Sequence, residues 1–498
     1  MMENYKNLEN HFARITKVGC LFEILHWDMA VMMPPGSGKS RGEELAELQV
    51  ILHELSIDPQ IKEWLEGAKT EELDPWQKAN LREMERIYIH ATAVPTTLVE
   101  EAAKAGSACE LCWREARGRD DFKALEPYLQ KVVDLAREIS LVKGEALGMK
   151  PYDALLDQFE PGMTMEEIDC LFGEIEGYLP DLINEVIEFQ ASQSPPLALD
   201  GPFPPEKQKK LALEVIKAIG FDFQRGRVDE SHHPFCGGTP QDVRITSRYN
   251  EQDLLSGLMS IFHETGHALY EFGLPVKWQY QPVGRARSLG IHESQSLLME
   301  MQVCHSQEFF NFFTPLAMKI LEKTGPAWNA DNLYKVASKV QRSLIRVDAD
   351  EVTYPAHVIL RYKLEKALMN DELKVKDLPS AWNEEMQKLV GITPTNNKDG
   401  CMQDIHWMDG TFGYFPTYTL GAMNAAQIFQ ACQKDIPQVL TEVAKGNFKP
   451  LVEWLREKIH SKGSFLTTKE LMTEATGKPL DGSIFQNHLR RRYLGGKN

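Results

Sequence analysis

The sequence predicts a mainly helical protein, and two observations lead to that prediction. Apolar and polar side chains alternate with helical spacing over most of the 498 residues, and clusters of turn residues are few. The clearest helical stretches are residues 8–32, 75–93 and 120–147. One segment differs: from Val243 to Tyr249 the alternation has a period of two, which predicts a short, half-exposed strand.

Two interpretations of this strand stay open. Its edge could bind an extended peptide through backbone hydrogen bonds, or it could belong to a small structural hairpin. Elsewhere the helical pattern breaks at Gln193 to Pro205, which is rich in Ser and Pro, and at Thr393 to Gly400. Neither break resembles a flexible linker, and no internal repeat is present. We therefore expect one helical domain over residues 1–498, with two lobes as the alternative organisation.

Charge and composition narrow the class of protein. A net charge of −17 argues against a nucleic acid or an anionic membrane as the partner, because both require a basic face. The eight cysteines are scattered through the chain, unlike those of a disulfide scaffold. No run of 18 apolar residues is present, and the first residues lack the profile of a signal peptide. The expected location is the cytoplasm.

The second half of the sequence contains one helix with a chemical motif. From Asn250 to Phe272 the apolar residues recur at helical spacing, with Asn250 as the expected N-cap and Asp253 in the first turn. Gly273 and Pro275 form the expected stop signal. The pattern His263-Glu264-Thr265-Gly266-His267 therefore lies inside a helix.

This pattern matches a hydrolytic metal centre. Residues i and i+4 of a helix share one face, so His263 and His267 can bind one ion while Glu264 lies beside them. A zinc ion lowers the pKa of a bound water, and the glutamate can take the proton of that water and pass it to a leaving amine. Without a metal, these polar side chains would be costly to bury, so metal binding is the simplest explanation.

A hydrolytic zinc site needs a third protein ligand. After the turn that follows His267, the sequence Gly290-Ile291-His292-Glu293-Ser294-Gln295 stands at the start of another helical stretch, Ser294 to Phe313. Glu293 is the expected ligand because a carboxylate on a following helix usually completes this type of site, and His292 is the alternative. A third histidine of the pattern His-x-x-Gly-x-x-His is absent after His267.

Six short motifs make the sequence resemble the Taq-type metallocarboxypeptidases. In chain order they are His233-Pro234-Phe235, Asp242-Val243-Arg244-Ile245-Thr246, His263 to His267, His292-Glu293-Ser294-Gln295, Ile345 to Asp350, and Gly400 to Trp407. Six motifs in the same order are far more specific than one. Leu25-His26-Trp27-Asp28 and Met33-Pro34 also resemble the family, so the likeness extends over the whole chain.

The resemblance implies both a fold and an activity. It assigns His263, His267 and Glu293 as ligands of one zinc ion per chain, and Glu264 as the general base and acid. Cobalt or manganese could substitute for zinc at such ligands. The family removes single residues from peptide C-termini with broad specificity and disfavours proline. Its members are almost wholly helical homodimers, with a deep substrate groove and a small sheet near the metal.

A carboxypeptidase must also bind the terminal carboxylate of its substrate. The planar fork of an arginine suits this task, since it can bind both carboxylate oxygens. Arg346 is the first candidate, because its motif is similar to the family segment proposed for this role, and Asp348 and Asp350 could orient it. Arg244 is the second candidate. The alternative for Arg346 is an ordinary ion pair on a helix surface.

The oxyanion of a peptide hydrolase needs a hydrogen-bond donor in addition to the metal. His406 is the first candidate, and Tyr414 and Tyr418 follow, although each could equally be a core residue. Gln403 and Asp404 are expected to hold His406 or a ligand imidazole in one tautomer. His233 is expected to shape the substrate pocket.

Three functions compete at this point. The first is a zinc carboxypeptidase. The second is an endo-acting zinc oligopeptidase, which would also cleave peptides with amidated C-termini. The third is a peptide-binding protein with a structural metal, which would not need Glu264.

Overall fold

The computed structural model describes residues 2–495 and confirms the prediction of a mainly helical protein. Within these residues, the α-helices are α1 Glu3–Val31, α2 Gly38–Ser56, α3 Pro59–Ala68, α4 Pro75–Thr92, α5 Thr96–Arg119, α6 Phe122–Leu147, α7 Pro151–Leu156, α8 Met165–Ala191, α9 Pro205–Ile219, α10 Leu254–Gly273, α11 Leu289–Leu297, α12 Gln307–Leu321, α13 Ala330–Ala337, α14 Tyr354–Met369, α15 Leu378–Leu389, α16 Pro416–Asp435, α17 Val439–Val443, α18 Lys449–Lys458, α19 Thr468–Thr476 and α20 Gly482–Tyr493. Three strands accompany them: β1 Gly226–Glu230, β2 Cys236–Thr239 and β3 Asp242–Ser247. No helix in residues 2–495 has the length and apolar character needed to cross a membrane.

The helical stretches expected from the sequence match α1, α4 and α6 to within a few residues. The Ser- and Pro-rich break separates α8 from α9. The second break falls in the long segment between α15 and α16, in which residues 390–415 form turns and irregular backbone.

The chain forms two compact units, and each is assembled from three stretches of sequence. The first unit contains Met1–Ala91, Pro196–Ala337 and Asn424–Leu480. The second unit contains Thr92–Pro195, Ser338–Met423 and Asp481–Asn498. Because neither unit is continuous in sequence, no linker marks the boundary between them, and composition gave no signal for it.

The sheet belongs to the first unit and has the strand order β1-β3-β2. β1 runs parallel to β3, and β2 runs antiparallel to it. β3 therefore has a partner on each side and cannot lend an edge to a peptide. The expectation of a half-exposed strand is also wrong, because Val243, Ile245, Thr246 and Ser247 are all buried. Residues on both faces of β3 are buried, so the alternation of apolar and polar residues does not separate a buried face from a solvent-exposed one.

The cap of α10 lies three residues later than the sequence predicted. Asp253, and not Asn250, is the N-cap, and its carboxylate accepts hydrogen bonds from the backbone nitrogens of Leu255 and Ser256. Asn250 instead closes the preceding turn by accepting from the backbone nitrogen of Gln252. The predicted helix was therefore too long at its start. Its stop was correct, since α10 ends at Gly273.

The helical stretch predicted after Glu293 is interrupted. α11 begins at Leu289, so Glu293 lies inside that helix and not before it. A π-helical segment, Leu298–Cys304, then separates α11 from α12. π-Helical turns are rare and frequently occur at functional sites.

Candidate active site

α10 presents the two histidines of the motif on one face, within the first unit. The imidazole rings of His263 and His267 are 4.9 Å apart between centroids. Glu264 is 7% exposed, and burial raises the pKa of its carboxyl group to about 7. The helix around them is apolar, with Leu258, Ile261, Phe262 and Ala268 fully buried. Because these apolar side chains pack in the core, they hold α10 in one orientation, which also sets the direction of His263, Glu264 and His267.

Gly266 allows α11 to approach this face of α10. A Cβ atom at position 266 would lie 2.3 Å from the carbonyl oxygen of Gln295 and 2.6 Å from the Cα atom of Ser296. Real Cβ atoms essentially never come so close to backbone atoms, so only glycine fits at this position. The close approach places Glu293 of α11 opposite the two histidines.

Three side chains form a potential metal-ligand set: His263, His267 and Glu293. One oxygen of Glu293 lies 3.4 Å from Nε2 of His267 and 3.7 Å from Nε2 of His263. Ligand bonds of about 2.0–2.1 Å to a tetrahedral ion place two ligand atoms roughly 3.3–3.4 Å apart. The donor atoms therefore fit a metal ion of this size and coordination.

His292, the alternative ligand, is turned to another partner. Its Nε2 lies 2.9 Å from a carboxylate oxygen of Glu271, and its ring stacks on that of His267 with centroids 4.5 Å apart. His292 therefore supports a predicted ligand from the side and does not belong to the ligand set.

The second ring nitrogens of both histidines are also occupied. Nδ1 of His263 lies 2.8 Å from a carboxylate oxygen of Glu300, and Nδ1 of His267 lies 3.1 Å from the backbone oxygen of His292. Both partners accept hydrogen bonds, so Nδ1 is the donor nitrogen of each ring and Nε2 is the nitrogen that would bind a metal. The sequence did not single out Glu300, which lies on the π-helical segment.

The electrostatics of this cluster favour a bound cation. Burial opposes protonation of His263, but Glu293 and then Glu300 raise the pKa of its imidazole to about 10. Burial likewise opposes ionisation of Glu293, yet His263 and His267 lower the pKa of its carboxyl group to about 2. The carboxylates thus attract positive charge to this half-buried cluster, and a divalent ion would satisfy the same attraction.

The second unit contains the remaining leading candidates. Arg346 is 7% exposed, and its Nε and Nη2 donate to one oxygen of Asp404 at 3.1 and 2.9 Å. Its backbone nitrogen donates to Gln403, and its guanidinium lies 4.9 Å from the ring centroid of Tyr418. Arg346 is therefore not a surface ion pair.

The residues expected to orient Arg346 do not do so. Asp350 accepts hydrogen bonds from the backbone nitrogens of Val352 and Thr353 in the turn before α14, and Asp348 is exposed. Asp404 orients Arg346 instead. The expected role of Asp404 and Gln403 as supports of an imidazole is replaced by this contact, since both of them hold Arg346.

His406, Tyr414 and Tyr418 form one aromatic cluster in the second unit. The ring of His406 lies 5.4 Å from that of Tyr414 and 6.4 Å from that of Tyr418, between centroids. Burial is the largest cause that lowers the pKa of His406, to about 4, so its imidazole is neutral at pH 7. Its Nδ1 has no hydrogen-bond partner among residues 2–495. A neutral imidazole has one N–H group to donate.

The two other predicted residues belong to the first unit. Arg244 on β3 donates through Nε and Nη2 to the two oxygens of Asp242, at 3.0 and 2.6 Å, and lies over the ring of Trp27. His233 is exposed in the loop before β2, where its backbone oxygen accepts from Ser231. The six sequence motifs are thus divided between the two units.

Comparison with known proteins identifies the family of this chain. The family model described as "Carboxypeptidase Taq (M32) metallopeptidase" matches residues 7–493. The chain is 39% identical to thermostable carboxypeptidase 1 of Thermus thermophilus, over 98% of both chains, and 36% identical to thermostable carboxypeptidase 1 of Pyrococcus furiosus, over 99% of both. Trypanosoma cruzi metallocarboxypeptidase 1 has a similar structure, with a TM-score of 0.97 at 39% identity, covering 99% of this chain and all of the other.

Both the family model and the relatives extend over nearly the full length of the chain, as the resemblance of the sequence motifs predicted. The chain therefore belongs to the carboxypeptidase Taq (M32) family of metallopeptidases and is a metallocarboxypeptidase.

Proposed function

We propose that this enzyme uses one zinc ion per chain to release single amino acids from the C-termini of peptides. The observation that supports the proposal most strongly is the half-buried set of His263, His267 and Glu293, with the buried Glu264 beside the two histidines on α10. Cobalt or manganese is the expected substitute, since histidine and carboxylate ligands accept all three metals.

The protein residues have separate roles in this reaction. When bound, zinc supplies a Lewis acid that polarises the scissile carbonyl and lowers the pKa of a coordinated water. Glu264 takes a proton from the attacking water and delivers it to the leaving amine. Glu300 and the backbone oxygen of His292 keep the imidazoles of His263 and His267 in the tautomers that bind a metal.

Arg346 is the proposed partner of the terminal carboxylate. A guanidinium has five N–H hydrogens, and Asp404 takes only the Nε hydrogen and one on Nη2. Nη1 makes a long contact of 3.4 Å with the hydroxyl of Tyr354. The two Nη groups therefore retain hydrogens for a bidentate bond with a ligand carboxylate.

Charge balance favours Arg346 over Arg244 for this role. Arg244 and Asp242 form a pair of one cation and one anion. Arg346 shares Asp404 with Arg361, so two cations face one anion. The group around Arg346 keeps a net positive charge that a ligand carboxylate would neutralise. We propose that Arg244, anchored between Asp242 and Trp27, shapes the peptide site together with His233.

His406 is the proposed donor to the oxyanion, because its imidazole is neutral at pH 7 and therefore has one N–H group to donate. Tyr414 and Tyr418 are the alternative donors, and their rings pack beside His406. Replacement of His406 by Gln and of each tyrosine by Phe would rank the three, because loss of the oxyanion donor lowers kcat most.

Further properties follow from family membership and from the free cysteines. We propose broad specificity with proline disfavoured, as well as a homodimeric state. All eight cysteines are unpaired, as expected for a reducing compartment such as the cytoplasm. Size measurement in solution tests the dimer, and a panel of dipeptides that differ in the last residue tests the specificity.

The C-terminal requirement is tested with matched substrates. An N-blocked dipeptide with a free carboxylate should release its last amino acid, whereas the same dipeptide with an amidated C-terminus should be spared. Equal cleavage of both would indicate an endo-acting peptidase. Arg346→Met should raise KM for the free acid, and Arg346→Lys should recover part of the loss, because lysine restores the charge without the fork.

A further inference from the structure

α14 has a fully buried polar face. His357, Arg361 and Glu365 follow one another at intervals of four residues, and each is 0% exposed. Residues so spaced lie on one side of a helix. Arg361 bonds to Asp404, and Glu365 accepts from the indole of Trp407 and from the backbone nitrogen of Gly413. This polar face therefore holds the irregular segment of residues 400–415, all within the second unit.

The guanidinium of Arg361 is surrounded by groups of the protein. Its Nε donates to the second oxygen of Asp404 at 2.6 Å, and Nη1 donates to the backbone oxygen of His357 at 2.7 Å. Its Nη2 lies 2.6 Å from the same Asp404 oxygen as an ion-pair contact, but makes no hydrogen bond within residues 2–495. Its guanidinium lies 4.6 Å from the ring centroid of Trp382. With no exposed surface, Arg361 is not placed to meet a substrate itself.

Asp404 bridges two arginines with different oxygens. One oxygen binds Arg361, and the other accepts both bonds from Arg346. The carboxylate plane is thus fixed from both sides, which in turn fixes the guanidinium of Arg346. The two cations, Arg361 before Arg346, lower the pKa of Asp404, although burial opposes the shift, so it remains ionised.

Arg361 also determines the charge that Arg346 can offer. With both arginines present, the group of three side chains has a net charge of +1. Without Arg361, Arg346 and Asp404 would neutralise each other, and little attraction for an anion would remain. Arg361 therefore keeps the group positively charged by pairing with the Asp404 oxygen that Arg346 does not use.

We propose that Arg361 is a positioning residue for substrate binding: it orients Arg346 through Asp404 and offsets the charge of Asp404, so that Arg346 keeps its own positive charge for the terminal carboxylate. This inference rests on the proposed role of Arg346. A positioning role can be distinguished from a purely structural one. If Arg361 acts through Arg346, its effect on substrate binding must disappear when Arg346 is absent.

The test is a double-mutant cycle in the full-length, metal-loaded enzyme. Arg361→Met, Arg346→Met and the double variant are compared with the wild type for KM and kcat on an N-blocked dipeptide. Binding of N-acetyl-leucine, a simple carboxylate probe, is measured in parallel by calorimetry, which needs no turnover. Lys363→Met is the control, since Lys363 is a cation on the same helix but pairs with Glu176 and Glu385.

We expect Arg361→Met to raise KM and the Kd of the probe about 10-fold, with kcat changed by less than about 3-fold and metal content unchanged. In the Arg346→Met background the same substitution should change both constants by less than about 2-fold. Lys363→Met should leave both constants as in the wild type. Arg361→Lys, which keeps the buried charge, should give a smaller loss and serves if the Met variant does not fold.

Other results would overturn the inference. Additive effects of the two arginines would mean that Arg361 acts without Arg346, and a fall in kcat or in metal content would indicate a structural role. Absence of probe binding by the wild type would also overturn it. Probe binding with the expected cycle but without turnover would instead count against the proposed function alone.

Discussion

Replacement of Gly266 by Ala is the sharpest perturbation of the metal centre that leaves every proposed ligand in place. The added Cβ would meet three backbone atoms of α11 within 3 Å, the closest at 2.3 Å. Ordinary contacts begin near 3.4 Å, so α10 and α11 must separate by about 1 Å. Backbone atoms cannot rotate away as side chains can, so the strain falls on the helix pair that brings Glu293 to the histidines.

The expected cost follows from two opposing effects. Overpacking of this kind destabilises a protein by about 1–3 kcal/mol, and the crowding places Gly266→Ala at the upper end. The better helix propensity of alanine offsets about 1 kcal/mol. We expect a net loss of about 2 kcal/mol in the free energy of unfolding of the metal-free protein. Displacement of Glu293 should weaken metal binding by about 10- to 100-fold.

The assay combines urea unfolding of metal-free protein with competition between the enzyme and a chelator for zinc. Gly173→Ala is the matched control, because Gly173 lies inside α8 with nothing within 4 Å of the place that a Cβ atom would take, and alanine there should stabilise slightly. Unchanged zinc affinity in Gly266→Ala would refute the proposed dependence of the ligand geometry on this close approach.

Three further outcomes are expected. Glu300→Gln should lower zinc affinity about 10- to 100-fold in the same competition assay, since the imidazole of His263 loses its charged partner; an unchanged affinity would exclude this role. Burial raises the pKa of Glu365 to about 7, above its value of about 4.5 in the unfolded chain, so its contribution to stability is complete below pH 4.5 and is lost as the pH rises through 7. Urea unfolding from pH 5 to pH 8 should therefore show a loss of up to about 3 kcal/mol in the wild type that is absent in Glu365→Gln, and parallel curves would contradict the shift. Asp253→Ala should cost about 0.5–2 kcal/mol in urea unfolding because α10 loses its cap, whereas Asn250→Ala should cost less.

The grouping of the proposed metal ligands could be predicted because these residues lie on regular helices. His263 and His267 are one turn apart, and α10 has the continuous apolar pattern of a buried helix, so spacing alone placed both imidazoles together. Glu293 followed from its place after the turn and from the family motif. Only the prediction for the two histidines used the period that a helix imposes on its side chains.

The supporting contacts could not be predicted in the same way. Glu300 lies on a π-helical segment, and the spacing of apolar residues in the sequence does not predict such a turn. Asp404 lies in irregular backbone and pairs with Arg346, 58 residues away in the sequence. Asp348 and Asp350 were predicted to orient Arg346 instead because they are its nearest acidic neighbours in the sequence. The N-cap of α10 was misplaced because Asn250 and Asp253 are both good capping residues, and only the backbone path decides between them.

The central claim is that Glu264 moves the proton in a reaction at a metal held by His263, His267 and Glu293. The most direct test measures bound zinc and turnover of an N-blocked dipeptide for the wild type and for Glu264→Gln. We expect one zinc ion per chain in both proteins, with kcat of the variant reduced by at least about 10²-fold. Retained turnover in Glu264→Gln at full zinc occupancy, or a wild type that binds zinc and releases no C-terminal amino acid, would contradict the claim.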